Sequence, residues 1–241
     1  MNGLIALLGA GEYLRIVDPI DRYLLDSLKL DGRKARVVCL PTAAGREGDG
    51  TISRWSRMGV EHFERLGAEA VALRIIDRAS ADDPRHGPAL EAADIIYFSG
   101  GDPGYLYQTL QGSRAWEAAQ KAWARGAIYA GCSAGAMILA QKLPDLRMGG
   151  ADRHTAFGAL SASFILPHYD AMPAIYKPVI AGLRLTLGPD EYVLGIDENT
   201  ALVGKRGGEW RVLGEGMVHV IRRKNQAAYS AGDRVDFTNA A

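Results

Sequence analysis

The sequence predicts an α/β fold, in which a three-layer, doubly wound, mostly parallel sheet carries a β-rich C-terminal extension. Two observations lead to this prediction. In the first half of the chain, short apolar runs alternate with longer amphipathic segments. Strands that are continuously apolar and separated by helices are typical of a parallel sheet covered on both faces. After residue 190 the pattern changes to short strand candidates joined by glycine-rich turns.

The first half supplies the parallel part of the sheet. In chain order, the predicted strands are Leu4–Leu8, Arg36–Leu40, Ala70–Ile75, Asp94–Ser99 and Ala127–Ala130. The amphipathic segments predict helices near Asp18–Lys29, Ile52–Leu66 and Ser113–Arg125. Right-handed crossovers between such strands bring the functional groups to their carboxyl ends.

The C-terminal part is predicted to extend the same sheet or to pack beside it. Its strand candidates are Tyr192–Asp197, Thr200–Val203, Trp210–Leu213 and Met217–Arg222. Because neither a linker nor a repeat interrupts the chain, residues 1–241 are assigned to a single domain.

Composition excludes several classes of protein. The chain has 241 residues, 48% of them hydrophobic, and 28 basic residues balance 28 acidic ones. This composition excludes a disordered chain, and the balanced charge does not favour a nucleic-acid or membrane partner. No apolar run approaches the ~20 residues of a membrane-spanning helix, so we expect a cytoplasmic protein. Cys39 and Cys132 form neither a disulfide framework nor a zinc motif, and no metal or organic cofactor is expected.

Residues 128–139 carry the strongest functional motif. They predict a strand, then Gly-x-Ser-x-Gly centred on Ser133, then a helix. In a nucleophile elbow, the serine occupies a sharp strand-to-helix turn, and the positions two residues away must be small. Gly131 and Gly135 occupy those positions. The alternative interpretation is a tight crossover of small residues with a capping serine.

The neighbouring Cys132 is a weaker candidate for the nucleophile. Its neighbours two positions away are Ala130 and Ala134, whereas Ser133 has glycines on both sides. The elbow is therefore centred on Ser133, and Cys132 is predicted to point into the core.

A second glycine motif ends the fourth strand. Gly100 and Gly101 precede Pro103, a residue suited to the first turn of a helix. Backbone N–H groups of Gly101 and Ala134 are therefore candidates for an oxyanion hole, although an ordinary strand-to-helix turn is also compatible with the pattern. A third motif, Gly-Ala-Gly at 9–11, lacks the remainder of a dinucleotide fingerprint, and a nucleotide site is not predicted.

The chain has five candidate histidine bases. His62 in a helical pattern and His86 in a loop are interpreted as surface residues, and His154 is placed in a polar loop. His168 ends an apolar run, so it lies at the edge of the sheet where functional loops gather. His219 alternates with apolar residues inside a strand, and a histidine that faces solvent or a neighbour fits better there.

Two adjacent carboxylates, Asp197 and Glu198, follow a predicted strand. Successive side chains of a strand point to opposite faces, so at most one of the two can face the site. Two triads remain open on these grounds. Ser133–His168–Glu198 is one, and Ser133–Asp197–His219, which follows the chain order of an α/β-hydrolase, is the other.

Four segments together resemble peptidase family S51, which includes aspartyl dipeptidase and cyanophycinase. They are Gly-Gly-Asp at 100–102, Gly-Cys-Ser-Ala-Gly-Ala at 131–136, Leu-Pro-His-Tyr at 166–169 and Gly-Ile-Asp-Glu-Asn-Thr-Ala at 195–201. The resemblance implies a class I glutamine amidotransferase-like fold. It also implies a nucleophile, base and acid at Ser133, His168 and Glu198, and oxyanion N–H groups at Gly101 and Ala134.

The function that follows is acyl transfer by a serine peptidase. The expected substrate is a small peptide or isopeptide, Asp-containing or cyanophycin-like, with Gly100 and Asp102 among the substrate-binding residues. A homodimer is one option for assembly. Three other classes stay open: an esterase that uses Asp197 and His219, an amidase with a cysteine nucleophile, and a binding module without turnover.

Overall fold

The computed structural model describes residues 3–144, 154–235 and 237. Its strands, in chain order, are β1 (Ile5–Leu8), β2 (Arg36–Leu40), β3 (Glu69–Ala72), β4 (Ile95–Phe98), β5 (Ile128–Cys132), β6 (Lys142–Leu143), β7 (His154–Thr155), β8 (Phe164–Pro167), β9 (Val193–Ile196), β10 (Thr200–Gly204), β11 (Trp210–Gly214), β12 (Met217–Ile221), β13 (Gln226–Ser230) and β14 (Arg234–Val235). Its α-helices are α1 (Asp18–Asp26), α2 (Asp49–Arg65), α3 (Arg78–Ala81), α4 (Gly87–Ala92), α5 (Pro103–Leu110), α6 (Arg114–Arg125), α7 (Ala134–Met137) and α8 (Lys177–Leu185).

An eight-stranded sheet forms the centre of the protein, in the order β14-β11-β10-β1-β5-β4-β2-β3. Within the part β1-β5-β4-β2-β3, each strand is parallel to the next one. β10, β11 and β14 extend the sheet in antiparallel fashion. The predicted α/β fold with its β-rich C-terminal extension is therefore confirmed.

The remaining C-terminal strands form a second sheet. Its order is β13-β12-β9-β8, and β8 and β9 are parallel. Of the two predicted arrangements, an extension of the same sheet and a piece packed beside it, the chain thus uses both. The carboxyl ends of β8 and β9 lie at the same edge because the two strands run in the same direction.

Apolar residues fill both faces of the central sheet. One core joins the sheet to α4, α5, α6 and α7 and also takes in residues of the second sheet, such as Ile165 and Leu194. The other core lies under α1 and α2 and includes Ile20 and Phe63. These two cores account for the three layers, and the first one fixes the second sheet against the central sheet.

Helix α6 shows how local sequence sets the boundaries of an element. Ser113 precedes it, and the Ser113 hydroxyl accepts a hydrogen bond from the backbone N–H of Trp116 at 3.1 Å. Such a cap satisfies a donor that has no partner inside the helix. Gly126 follows the last turn with a φ of 121°, a value that favours glycine. Trp116 and Trp123 of this helix are both buried.

The interpretation of His62 as a surface residue is wrong. His62 is only 3% exposed, and its Nε2 lies 2.7 Å from Oδ2 of the buried Asp21 on α1. Its Nδ1 lies 3.1 Å from Arg65. These polar partners on α1 and α2 stabilise a histidine that the helical pattern alone would leave in solvent.

His86 agrees with its sequence-based interpretation, whereas His154 does not. His86 ends a short 3-10 turn and is partly exposed. His154 lies in the two-residue strand β7, whose partner is β6, instead of the predicted loop.

In the described residues, we find no helix that has both the length and the apolar character needed to cross a membrane.

Candidate active site

Ser133 lies in a strained turn between β5 and α7. Its backbone has a φ of 50° and a ψ of −110°, which is uncommon for a residue with a side chain. A Cβ atom at Gly131 would lie 2.4 Å from the carbonyl oxygen of Gly135, and one at Gly135 would lie 2.4 Å from that of Phe98. Both positions therefore require glycine, for the steric reason that the sequence predicts.

Two side chains that follow strands of the second sheet lie close to Ser133. His168 directly follows β8, and Glu198 lies two residues beyond the end of β9. The Oγ atom of Ser133 lies 2.8 Å from Nε2 of His168. The Nδ1 atom of His168 lies 3.0 Å from Oε1 of Glu198. A carboxylate, an imidazole and a hydroxyl thus form one hydrogen-bonded chain.

Asp197 belongs to a different cluster. Its Oδ2 accepts a hydrogen bond from the backbone N–H of Met217 at 2.8 Å, and its Oδ1 lies 3.2 Å from Nε2 of His219. The structure therefore pairs Asp197 with His219 and Glu198 with His168. Of the two carboxylates left open by the sequence, Glu198 is the one that contacts the imidazole next to Ser133.

The cluster around His219 also contacts the histidine loop. The rings of His219 and Tyr169 have centroids 4.6 Å apart. A Cβ atom at Gly195 would come within 2.6 Å of the Tyr169 ring, so glycine leaves room for that ring. Further along the loop, Asp170 Oδ1 accepts a hydrogen bond from the backbone N–H of Glu198 at 2.9 Å. These contacts connect the loops that carry His168 and Glu198.

The candidate oxyanion donors lie at the ends of β4 and β5. Gly101 has a φ of 140°, and a Cβ atom there would lie 2.5 Å from the carbonyl group of Ala43. The next residue, Asp102, donates its backbone N–H to that carbonyl oxygen at 2.9 Å. Ala134 begins α7, and N–H groups of a first helical turn have no acceptor within the helix.

A buried carboxylate, Glu12, connects these two strand ends. Glu12 is 8% exposed; its Oε1 accepts the backbone N–H of Gly100 at 2.8 Å, and its Oε2 accepts the thiol of Cys132 at 3.0 Å. Burial, together with the nearby Glu12, raises the pKa of the Cys132 thiol well above its usual value. Cys132 therefore points into the core, as predicted, and is held there as a neutral thiol.

A pocket of about 620 Å³ opens beside Ser133. Asp102, His168 and Glu198 line it together with a larger set of apolar residues. Asp102 also caps α5, because its Oδ1 accepts the backbone N–H of Tyr105 at 3.0 Å. Within residues 3–144, 154–235 and 237, no cluster of three or more His, Cys, Asp or Glu side chains could hold a metal ion.

The sequence pattern did not identify Glu12, nor the structural reason for the glycines in the Gly-Ala-Gly motif at 9–11. A Cβ atom at Gly9 would lie 2.1 Å from the carbonyl oxygen of Asp197, and one at Gly11 would lie 2.4 Å from Oδ1 of Asn199. These glycines let the loop after β1 pass close to the loop that carries Glu198. A charged residue directly after a glycine-rich loop at a buried strand end was the available signal for Glu12.

The family model for peptidase family S51 matches residues 5–211. The chain belongs to peptidase family S51.

Two of its curated relatives are called cyanophycinase. The one from Trichormus variabilis is 28% identical over 199 residues, which is 78% of this chain and 63% of the relative. The one from Synechococcus elongatus is 26% identical over 234 residues, 91% of this chain and 68% of the relative. The chain thus matches less than two thirds of the length of the first relative.

Two solved structures resemble this chain over nearly its whole length. A peptidase from an acI-B1 Actinobacterium has a TM-score of 0.86 and 33% identity, with 98% of this S51 chain and 97% of that chain covered. A putative peptidase E from Listeria monocytogenes EGD-e has a TM-score of 0.63 and 20% identity, with 96% of this chain and 100% of that chain covered. At that identity, the second likeness bears on the fold alone.

Proposed function

We propose that this S51 family member is a serine peptidase that cleaves a small peptide or isopeptide bond through an acyl-enzyme. One observation carries the proposal. The Oγ atom of Ser133 is within hydrogen-bonding distance of an imidazole nitrogen of His168, and the other imidazole nitrogen contacts Glu198. A nucleophile, a base and a group that orients the base in this order are the working parts of serine hydrolases.

In the first half of the reaction, His168 acts as the general base. A neutral imidazole that carries its proton on Nδ1 donates to Glu198 and accepts the Ser133 hydroxyl proton on Nε2. The Ser133 oxygen then attacks the scissile carbonyl carbon, and the C–N bond breaks as the imidazolium gives its proton to the leaving amine. Glu198 holds the tautomer and stabilises the imidazolium charge.

The second half releases the acyl group. Water takes the place of the amine, gives a proton to His168 and attacks the ester carbon, after which Ser133 recovers its proton. In both halves the carbonyl oxygen gains negative charge. We assign its stabilisation to the backbone N–H groups of Gly101 and Ala134, where removal of one such donor costs roughly 10²–10³ in rate.

The substrate candidates are an Asp-containing dipeptide and a cyanophycin-like isopeptide. The second agrees with the name of the curated relatives, and both are compatible with the size of the pocket. We assign Gly100 and Asp102 to substrate binding, with the Asp102 carboxylate facing a substrate ammonium or guanidinium group. A single domain over residues 1–241, a cytoplasmic location and a homodimer complete the proposal.

Intact-mass analysis after fluorophosphonate treatment tests the nucleophile and the base. We expect one adduct on the wild type and none on Ser133→Ala. We expect His168→Ala to react at least ~10³-fold more slowly, because the hydroxyl then lacks its base. His86→Ala, which changes a partly exposed histidine outside the pocket, is the matched control and should react like the wild type.

The same experiment separates the alternatives. An esterase that uses Asp197 and His219 would keep its adduct in His168→Ala and lose it in His219→Ala. A binding module without turnover would form no adduct in the wild type. Either result would overturn the proposed Ser133–His168–Glu198 assignment.

A further inference from the structure

The pocket beside Ser133 has an apolar wall, which we define as Met137, Leu143, Leu166 and Met172. These side chains come from different parts of the chain. Met137 ends α7, Leu143 lies in β6, Leu166 lies in β8, and Met172 follows the histidine loop. The wall therefore lines the pocket in which a residue next to the scissile bond would bind if Ser133 attacks that bond.

The wall is continuous with the protein core. Met137 and Leu143 belong to the large core beneath the central sheet, and they are only 6% and 2% exposed. Leu166 is 1% exposed and belongs to a smaller core, against which Met172 packs. Close-packed side chains of this kind cannot easily turn away to admit water or a polar partner.

Such a wall discriminates between side chains by their solvation. A leucine or methionine side chain gains free energy when its apolar surface leaves water. A carboxylate or guanidinium placed against the same wall loses its hydration, and none of the four wall side chains carries a charge that could replace it. Among the described lining residues, the titratable groups are Asp102, His168, Tyr176 and Glu198, and His168 and Glu198 belong to the proposed catalytic machinery.

We propose that the apolar wall binds a bulky, uncharged apolar side chain in one of the two residues that flank the scissile bond. This proposal rests on the proposed function and narrows its substrate class. A dipeptide of aspartate with leucine or methionine agrees with the Asp-containing substrate class and with the apolar wall, because the aspartate occupies one position and the apolar residue the other. An aspartate–arginine isopeptide, in contrast, would place a guanidinium at one of these positions.

Competition against fluorophosphonate labelling tests this proposal without requiring turnover. Two dipeptide series are compared on the full-length protein, Asp-Xaa and Xaa-Asp, where Xaa is leucine, asparagine or arginine. Leucine and asparagine have nearly the same shape, so their comparison isolates polarity. We expect the leucine member of at least one series to protect Ser133 with an apparent affinity at least ~10-fold above that of the asparagine and arginine members.

A pair of variants locates the effect in the wall. Met172→Gln should lower the affinity for the leucine dipeptide about 5-fold or more, measured relative to the labelling rate of the same variant without dipeptide, since a polar amide then faces the apolar side chain. Met217→Gln makes the same chemical change at an exposed position on β12 outside the pocket, and it should leave the dipeptide affinity and the labelling rate without dipeptide as in the wild type.

The outcomes distinguish the two proposals. The apolar specificity is wrong if the wild type is labelled normally but arginine or asparagine dipeptides compete most strongly. It is also wrong if Met172→Gln does not change the affinity for the leucine dipeptide. Either result would leave the proposal of a serine peptidase in place. Loss of any fluorophosphonate adduct on the wild type would overturn the serine peptidase itself.

Discussion

Asp197 Oδ1 lies 3.2 Å from Nε2 of His219, while the adjacent residue, Glu198, contacts His168. His219 also packs on the ring of Tyr169, the residue that follows His168. One histidine in β12 thus contacts the direct neighbours of both His168 and Glu198. The Asp197–His219 pair is therefore placed to hold the loops on which the proposed base and acid depend.

The first prediction concerns His219. His219→Ala removes a hydrogen bond and a ring contact but leaves His168 and Ser133 in place. We expect fluorophosphonate labelling to slow by roughly 3- to 30-fold, because a small misplacement of a base weakens catalysis without abolishing it. Labelling rates and melting temperatures of the variant and the wild type give the comparison. A loss as large as that of His168→Ala would contradict this supporting role.

The second prediction concerns Glu12, which bonds to the end of β4 at Gly100 and to the end of β5 at Cys132. Glu12→Leu removes both hydrogen bonds and leaves a buried N–H without an acceptor. We expect labelling to fall by about 10²-fold, since the adjacent oxyanion donors lose their spacing. Glu12→Gln keeps a carbonyl acceptor and should stay within about 5-fold of the wild type.

The pH profile separates positioning by Glu12 from an effect of its charge. If Glu12 acts by holding the two strand ends, the pH midpoint of labelling will be the same in the wild type and in Glu12→Gln. A shifted midpoint in Glu12→Gln would indicate that Glu12 acts through its charge and would contradict the positioning role. Equal losses in Glu12→Gln and Glu12→Leu would also contradict the positioning role.

The third prediction concerns the two thiols. Burial raises the pKa of Cys39 to about 12 and that of Cys132 well above its ordinary value, so neither is a thiolate near neutral pH. We expect iodoacetamide to leave the native protein unmodified and its fluorophosphonate labelling unchanged. Mass analysis before and after treatment checks both points. Inactivation that parallels alkylation of Cys132 would favour a cysteine nucleophile.

The fourth prediction concerns Asp94 and acid stability. Burial favours a higher pKa for Asp94, but hydrogen bonds from the Arg33 guanidinium and from the backbone N–H of Arg36 outweigh it and hold the pKa below its ordinary value of 3.8. A carboxylate whose pKa is lowered by folding stabilises the native state above its unfolded pKa. That contribution is lost as the pH falls through the lower, folded value.

Asp94→Asn should therefore lower the free energy of unfolding by about 1–3 kcal/mol at neutral pH, the typical value of hydrogen bonds to a charged group. The difference from the wild type should shrink as the pH falls below about 4. Denaturant unfolding at several pH values measures it. Asp26→Asn, at an exposed position, is the control. A difference that stays constant down to about pH 3 would exclude the Asp94 carboxylate as its source.

The sequence predicted those features that depend on local pattern. The apolar runs identified β1, β2 and β4 almost to the residue, because parallel strands buried on both faces are continuously apolar. The spacing of Gly131 and Gly135 identified the elbow, because the two glycines answer a steric requirement within five residues of chain. The functional assignments of Ser133, His168 and Glu198 remain predictions.

Features that depend on distant contacts could not be predicted. His62 is buried because of Asp21, 41 residues away, and Glu12 reaches Gly100 from 88 residues away. No local pattern encodes such partners. The division of the C-terminal strands between two sheets has the same origin, since β10 pairs with β1 and β9 pairs with β8.

Ser133 follows a strand of the central sheet, whereas His168 and Glu198 follow strands of the second sheet, and the two sheets are joined by side chains of a shared core. The hydroxyl and the imidazole are therefore in register only while one sheet does not slide over the other. A shear of about an ångström would separate them with every strand still intact. Heat, pressure or a truncated core residue should thus lower the reactivity of Ser133 before the protein unfolds. Loss of fluorophosphonate labelling would then report a change in the alignment of the two sheets.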